Sequence, residues 1–137
     1  MIYKNKHTGE EVTRKTMLKT MFESYGNENP DELAITEHFV LILPYFRMGN
    51  TVITRTLDAA INENPEAQAE LMQCYERYRI CDWGDSSIND QEENDQAILK
   101  ADRRILASYK LKSIGREIWI ITEWDRSATT FLFPEDY

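Results

Sequence analysis

Residues 117–133 read EIWIITEWDRSATTFLF, and this stretch decides the fold class. Two β-rich runs, residues 117–123 and 129–133, flank the loop residues 124–127, an arrangement typical of a β-hairpin. Alternation puts large apolar side chains on both faces of the first run, which predicts a central strand covered on both sides. One face carries Ile118, Ile120 and Thr122, and the other carries Trp119, Ile121 and Glu123.

Further strands and helices are predicted on the N-terminal side of this hairpin. Residues 104–112 alternate as a strand does, and Gly115 supplies the turn into the next strand. Upstream, the patterns predict a short strand at 51–54 and helices at 57–62, from Pro65 to about residue 82, and from about 87 to 101. Because helices precede hairpin-linked strands, the chain is predicted to be α+β, with an antiparallel β-sheet from the C-terminal half packed against several α-helices.

The first 48 residues form a separate pattern. A hairpin, residues 3–12, turns at Thr8-Gly9, and a helix capped by Thr13 ends at Gly26. A second helix is predicted over residues 31–43, ending at Pro44. Its inward side chains would be Leu33, Phe39, Val40 and Leu43. We interpret residues 1–48 as an N-terminal hairpin and helical extension, and 49–137 as the main α+β domain, together one compact unit.

The charge distribution narrows the class of partner. The chain of 137 residues has 16 basic and 24 acidic residues, a net charge of −8, and residues 62–99 alone carry ten acidic residues against two basic ones. Direct nucleic-acid binding is not expected, since it needs surplus Lys and Arg to displace phosphate counterions. The absence of an apolar run of about 18 residues argues against a membrane protein. With no signal peptide expected, the predicted location is the cytoplasm.

Motifs for catalysis, metals or cofactors are missing from the sequence. No P-loop, dinucleotide-binding or nucleophile-elbow pattern occurs, so no catalytic residue, cofactor or metal is predicted. His7 and His38 lack neighbours at metal-ligand spacing, and we interpret them as a turn residue and a helix-face residue. Cys74 and Cys81 would lie about 10 Å apart on one helix, too far for a disulfide, and are interpreted as small buried hydrophobes.

Two groups of polar residues have alternative interpretations. The first contains Asp82, Asp85, Asp90, Glu92, Glu93 and Asp95, but its spacing does not match a calcium-binding loop. This group is a solvated helix face, a partner-binding surface or a cation site. In the second group, Glu123, Asp125 and Arg126 either form a polar active site or use an arginine–carboxylate bond to hold the hairpin together.

The C-terminal part resembles a family of small accessory proteins encoded on plasmids, conjugative elements and phages of Gram-positive bacteria. The segments that carry the resemblance are CDWG at 81–84, NDQA at 94–97, RILASY at 104–109 and residues 118–137 with WIITEWDRSATT and LFPEDY. The resemblance covers about residues 49–137, and TVITR at 51–55 fits the start. These proteins are often labelled restriction-modification subunits, and the resemblance implies a role against host defence, including inhibition of CRISPR nucleases. Residues 1–48 resemble a second small mobile-element module.

The leading hypothesis is a non-enzymatic, stoichiometric inhibitor of a CRISPR–Cas nuclease such as Cas9. An acidic surface would face the basic nucleic-acid channel of the nuclease. The predicted partner-binding residues are Asp31, Glu32, Glu37, Asp82, Asp85, Asp90, Glu92, Glu93 and Asp95. The main alternative is an interaction module, a monomer or a homodimer, whose acidic surface serves solubility. A further alternative is a small hydrolase that uses Glu123, Asp125 and Arg126.

Overall fold

A computed structural model describes residues 1–43 and 46–137, which fall into two units, Met1–Pro44 and Tyr45–Tyr137. The described residues form five helices and two sheets with seven strands in all, so the predicted α+β class is confirmed. None of the described helices is both long and apolar enough to cross a membrane.

The first unit contains a three-stranded antiparallel sheet with strand order β2-β1-β3. Its elements are β1 Ile2–Asn5, β2 Glu11–Thr13, α1 Arg14–Tyr25, α2 Glu32–His38 and β3 Phe39–Ile42. The predicted hairpin is confirmed, and its turn is closed by the Gly9 amide donating to the Asn5 carbonyl at 2.8 Å. Thr13 caps α1 as predicted, and Gly26 ends it in the left-handed conformation. Nearby residues therefore specify the hairpin turn and both ends of α1.

The prediction of one helix over residues 31–43 is wrong. Helix α2 ends at His38, and the chain continues directly as β3, which pairs with β1. Phe39 is buried, but Leu33 and Leu43 are exposed and Val40 is about half exposed. The apolar run 39–43 fits a helix or a strand equally well, and the free edge of β1 decides the outcome. Pro44, the predicted helix stop, lies outside the described residues.

The second unit is a four-stranded mixed sheet, sheet B, with order β4-β7-β6-β5. Its elements are β4 Asn50–Ile53, α3 Arg55–Ile61, α4 Pro65–Arg79, α5 Ile88–Lys100, β5 Ile105–Leu111, β6 Arg116–Thr122 and β7 Ala128–Leu132, followed by a short turn Pro134–Asp136. Strands β5, β6 and β7 are antiparallel as predicted, whereas β4 joins the sheet parallel to β7. The predicted helices form, and their N-terminal caps are Asn64 for α4 and Ser87 for α5.

One face of sheet B forms the main core. Ile118, Ile120 and Thr122 are fully buried there, and β6 is central, as the alternation predicted. The core also holds a chain of hydroxyl hydrogen bonds. Tyr78 Oη lies 2.6 Å from Thr122 Oγ1, which lies 2.8 Å from Thr129 Oγ1; Thr129 donates to the Met48 carbonyl at 2.7 Å. These buried hydroxyls are therefore satisfied, which is the condition for tolerating them in a core.

Candidate functional site

The three acidic residues predicted in the first unit belong to α2. Asp31 caps this helix, because its Oδ1 accepts a hydrogen bond from the Ala34 amide at 2.8 Å. Glu32 and Glu37 are exposed, one in the first turn and one near the end of the helix. Asp31 thus has a structural task, while Glu32 and Glu37 project into solvent.

Asp82 forms hydrogen bonds within the second unit. Its two carboxylate oxygens accept hydrogen bonds from Arg77 Nε at 2.9 Å and Nη2 at 3.2 Å, and the Gly84 amide adds a third bond. Partial burial acts to raise the pKa of Asp82, but the hydrogen bonds from Arg77 and Gly84 outweigh it and hold the pKa below its ordinary value. The Tyr109 hydroxyl also donates to the Asp82 carbonyl at 2.6 Å. Asp82 therefore joins α4 to sheet B.

Asp95 and Glu92 differ from the prediction of an exposed acidic helix face. Asp95 is 1% exposed and accepts a hydrogen bond from Trp83 Nε1 at 2.7 Å, so it lies beneath the surface and cannot meet a partner there. Glu92 is half-buried and accepts a bond from Gln96 Nε2 at 3.0 Å. The sequence pattern could not distinguish a buried carboxylate from an exposed one because the neighbouring residues are polar in both cases.

The remaining three, Asp85, Asp90 and Glu93, line two open depressions beside strand β5. The first has a volume of about 460 Å³ and is lined by Asp90, Glu93, Asn94, Arg103, Arg104, Leu106 and Trp119. The second, of about 470 Å³, is lined by Asp85, Ser108, Tyr109, Lys110, Gly115 and Glu117. The structure thus brings three of the predicted residues to one side of the sheet, where cations also lie.

Sequence analysis missed the cations and aromatic rings at these depressions. Arg103 pairs with Glu93 at 2.8 Å and with Asp102 at 2.8 Å, which neutralises part of the acidic surface. Arg104 lies over the Tyr137 ring, with its guanidinium carbon 5.3 Å from the ring centroid. The sequence did not predict the Glu93–Arg103 ion pair because the two residues are separated along the chain. They meet because α5 runs beside β5.

The edge of sheet B at β5 is closed by the segment that precedes it, residues 84–94. Asn94 Nδ2 donates to the Leu106 carbonyl at 2.8 Å, and Asn94 Oδ1 accepts from the Leu106 amide at 3.1 Å. At Ser108, the amide donates to Ser86 Oγ at 3.0 Å, and the carbonyl accepts from the Asp85 amide at 2.8 Å. The outward main-chain groups of these two β5 residues are therefore satisfied within the chain.

Gly84 allows this closure. It has φ +63°, and it forms a parallel bridge with Ser108. A Cβ at this position would lie 2.4 Å from the Tyr109 ring and 2.6 Å from the Ser108 carbonyl oxygen. Both the backbone conformation and the close approach therefore require glycine.

The opposite edge, at β4, is open. All four β4 residues are exposed, and a groove of about 390 Å³ runs beside the strand. The groove is lined by Thr51, Val52, Ile53, Leu71, Met72, Tyr75 and Phe131. This surface is largely apolar, and sequence analysis did not identify it, because only the tertiary structure brings α4 beside the short strand.

In the alternative site at Glu123, Asp125 and Arg126, the arginine and the aspartate are bound by neighbouring groups of the chain. Arg126 donates to main-chain carbonyls, those of Arg103 at 2.6 Å, Ala97 at 3.1 Å, Glu123 at 3.1 Å and Trp124 at 3.4 Å. Asp125 accepts from the Ser127 amide at 2.9 Å, and hydrogen bonding from the Ser127 side chain, together with that from its amide, lowers the pKa of Asp125. Arg126 does hold the hairpin, but it does so through carbonyl oxygens and not through the expected carboxylate.

The cysteines and histidines are the remaining reactive side chains. Burial raises the pKa of Cys74 to about 11 and that of Cys81 to about 12, so both remain neutral thiols near pH 7. His7 Nε2 lies 3.0 Å from His38 Nδ1, and Tyr25 stacks on His38, so the two histidines are partners, which sequence spacing did not indicate. Among residues 1–43 and 46–137, no group of three or more His, Cys, Asp or Glu side chains could hold a metal.

Comparison with known proteins adds no functional identification. Neither a family model, nor a curated protein, nor a solved structure matches the chain. Function is therefore inferred from the geometry of the two sheet edges, and the resemblance to mobile-element proteins stays a prediction.

Proposed function

We propose that this protein acts by binding another protein, and that its partner is a nucleic-acid-handling nuclease of CRISPR defence, with Cas9 the first to test. The observation that carries the proposal is the uncompensated negative charge of residues 62–99. The only two basic residues in that segment, Arg77 and Arg79, are already paired with Asp82 and Glu76. Arg103, from outside the segment, pairs with Glu93, and the other exposed carboxylates, Asp85 and Asp90 among them, are left to interact with cations from outside.

Asp85 and Asp90 are the best candidates for this contact. Both are exposed, and within the part of the chain that the structure describes neither forms an ion pair. They border adjacent depressions along one side of sheet B, so one partner surface can reach both. A basic nucleic-acid channel has the complementary charge, and complementarity of this kind accelerates association and selects partners.

The polar residues that could support catalysis favour binding over chemistry. Arg126 is engaged by carbonyl groups, and Asp125 by the Ser127 amide. A catalytic acid or base would need to converge with other groups on a substrate position, whereas the hydrogen bonds of Arg126 and Asp125 are directed to neighbouring groups of the chain, which supports a binding role. A binding role requires only the exposed surface.

The test is a titration of the full chain into guide-free and guide-loaded Cas9, with binding and target cleavage both measured. We expect tight binding and loss of cleavage, and an affinity that falls as salt is raised from about 50 to about 200 mM. Asp85→Lys with Asp90→Lys should weaken binding by about tenfold or more, because two attractive contacts become repulsive.

The matched control is Glu28→Lys with Glu123→Lys, which changes the net charge equally at exposed positions outside residues 62–99 and outside the two depressions. It should leave the affinity within about threefold of the parent. Equal weakening by both variants would contradict a local contact, and no binding to either form of Cas9 at micromolar concentrations would remove Cas9 as the partner. Circular dichroism of each variant checks that the fold is intact.

A further inference from the structure

The free side of strand β4 presents unpaired main-chain groups. In the described part of the chain, β4 pairs with β7 alone. The Asn50 amide donates to the Ser127 carbonyl and the Thr54 amide to the Phe131 carbonyl, both at 3.0 Å. Since successive residues of a strand point their amide and carbonyl groups in alternating directions, Thr51 and Ile53 turn theirs away from β7. An incoming strand would find two donors and two acceptors there.

Apolar side chains adjoin these groups. Val52 is 47% exposed and Met72, on α4, is 56% exposed, and both line the groove of about 390 Å³ beside β4. Tyr75 and Phe131 form its floor, with their ring centroids 5.7 Å apart. An open strand edge with an adjoining apolar groove suits an extended peptide, whose main chain pairs with the edge while alternate side chains enter the groove.

The chain segment that contains β4 carries the opposite charge to the whole chain. Residues 46–57 contain no Asp or Glu, although the chain has 24 acidic residues, and the nearby Asp136 carboxylate accepts hydrogen bonds from the hydroxyls of Thr54 and Thr56. Arg47 precedes β4 and Arg55 follows it; both are exposed, and in the described chain neither has an ion-pair partner. An acidic residue at the end of an incoming segment would therefore meet an unpaired guanidinium.

We propose that the free edge of β4 and its groove form a docking site for an extended segment of a protein partner. The segment is apolar at alternating positions and carries an acidic residue where it passes Arg55. A second copy of the chain fits less well. If two β4 strands paired antiparallel about Val52, Arg55 of each copy would lie opposite residue 49 of the other, two positions from Arg47. This pairing would bring positive charges together. This docking site is separate from the acidic surface and does not depend on it.

The test begins with selection of phage-displayed random dodecapeptides on the immobilised full-length protein. We expect enriched peptides to alternate apolar residues and to carry Asp or Glu at one end. A fluorescein-labelled synthetic copy of an enriched peptide is then titrated with the protein, with fluorescence anisotropy as the readout. Amide hydrogen exchange of Thr51 and Ile53 should slow by about tenfold or more in the complex, because their amides become hydrogen-bonded.

A charge exchange tests the predicted contact with Arg55. Arg55→Glu should weaken peptide binding by about tenfold, and replacing the acidic peptide residue with Lys should restore binding to this variant. Residue 55 is the first of α3, where glutamate favours the helix dipole, so the fold should tolerate the change. Lys112→Glu, an equal change in the exposed loop after β5, should have no effect. Met72→Glu should abolish binding by placing a charge in the groove.

Two outcomes would overturn the proposal. One is a selection without a consensus, or with peptides whose affinity neither Arg55→Glu nor Met72→Glu changes. The other is a concentration-dependent dimer in analytical ultracentrifugation that Met72→Glu abolishes, since a second copy would then occupy the edge. Asp85→Lys with Asp90→Lys should leave peptide affinity unchanged, so loss of Cas9 binding in that variant and loss of peptide binding in Arg55→Glu report on separate surfaces.

Discussion

The two edge strands of sheet B differ in whether other parts of the described chain cover their outer side. At β5, residues 84–94 satisfy the outward amide and carbonyl groups of Leu106 and Ser108 with both side-chain and main-chain partners. At β4, the strand has four exposed residues and an apolar groove beside it. The fold itself protects the β5 edge from pairing with another strand. At the β4 edge, only the short length of the strand and the flanking arginines limit such pairing.

This contrast gives the CDWG segment, residues 81–84, a structural explanation. Cys81 is buried, Asp82 binds Arg77, Trp83 binds Asp95, and Gly84 bridges to β5. Asp82 joins α4 to the segment, Trp83 binds α5 through Asp95, and Gly84 brings the segment against β5. Three of the four residues of the segment therefore have a structural role beside the closed edge.

Gly84→Ala should destabilise the protein more than the other changes considered, because it disrupts the contact with β5 at the closed edge. The added Cβ would meet the Tyr109 ring and the Ser108 carbonyl oxygen, and φ +63° is unfavourable for alanine. We expect a loss of roughly 3 kcal/mol or more in the free energy of unfolding. Urea denaturation followed by tryptophan fluorescence measures it.

Gly115→Ala is the matched control for this substitution. Gly115 has φ +61°, but a Cβ added there would have no atom within 4 Å. The control should therefore cost only about 1 kcal/mol, the conformational part of the effect. Equal losses for the two variants would contradict the close approach of Gly84 to β5.

Asn94→Ala should have an intermediate effect. It removes both hydrogen bonds to Leu106 and leaves the Leu106 amide and carbonyl to water, at a cost of about 1–3 kcal/mol. Gln96→Ala is the control, because it removes another side-chain amide from α5, one that donates to Glu92 of the same helix, and it also gains helix propensity. The account would be contradicted if Gln96→Ala destabilised the protein as much as Asn94→Ala in urea denaturation.

The parts of the fold that depend on neighbouring residues could be predicted from the sequence. Caps at Thr13 and Asn64 and the hairpin around residues 124–127 need only local chemistry, and all are present. The strand β3 was mistaken for helix because its identity depends on pairing with β1. The parallel pairing of β4 with β7 was likewise beyond local pattern, since these strands are about 80 residues apart.

The candidate site shows the same division. Exposure of Asp85 and Asp90 followed from a polar, charge-rich segment, but the burial of Asp95, which accepts a hydrogen bond from Trp83, depends on the tertiary structure. The groove beside β4 has no sequence signature, because its walls come from a strand and a helix that only the tertiary structure brings together. The charge of a segment can be counted from the sequence, whereas contacts between residues far apart in the sequence cannot be predicted from it.

Native-state amide hydrogen exchange, measured by NMR on the free protein, tests the central claim most directly. The account predicts that the amides of Leu106 and Ser108 exchange slowly, because Asn94 and Ser86 accept their hydrogen bonds. The amides of Thr51 and Ile53 should exchange at least about tenfold faster, because they face the open side of β4. Equal protection at the two edges would contradict the account, since it would mean that β4 is already covered in the free protein.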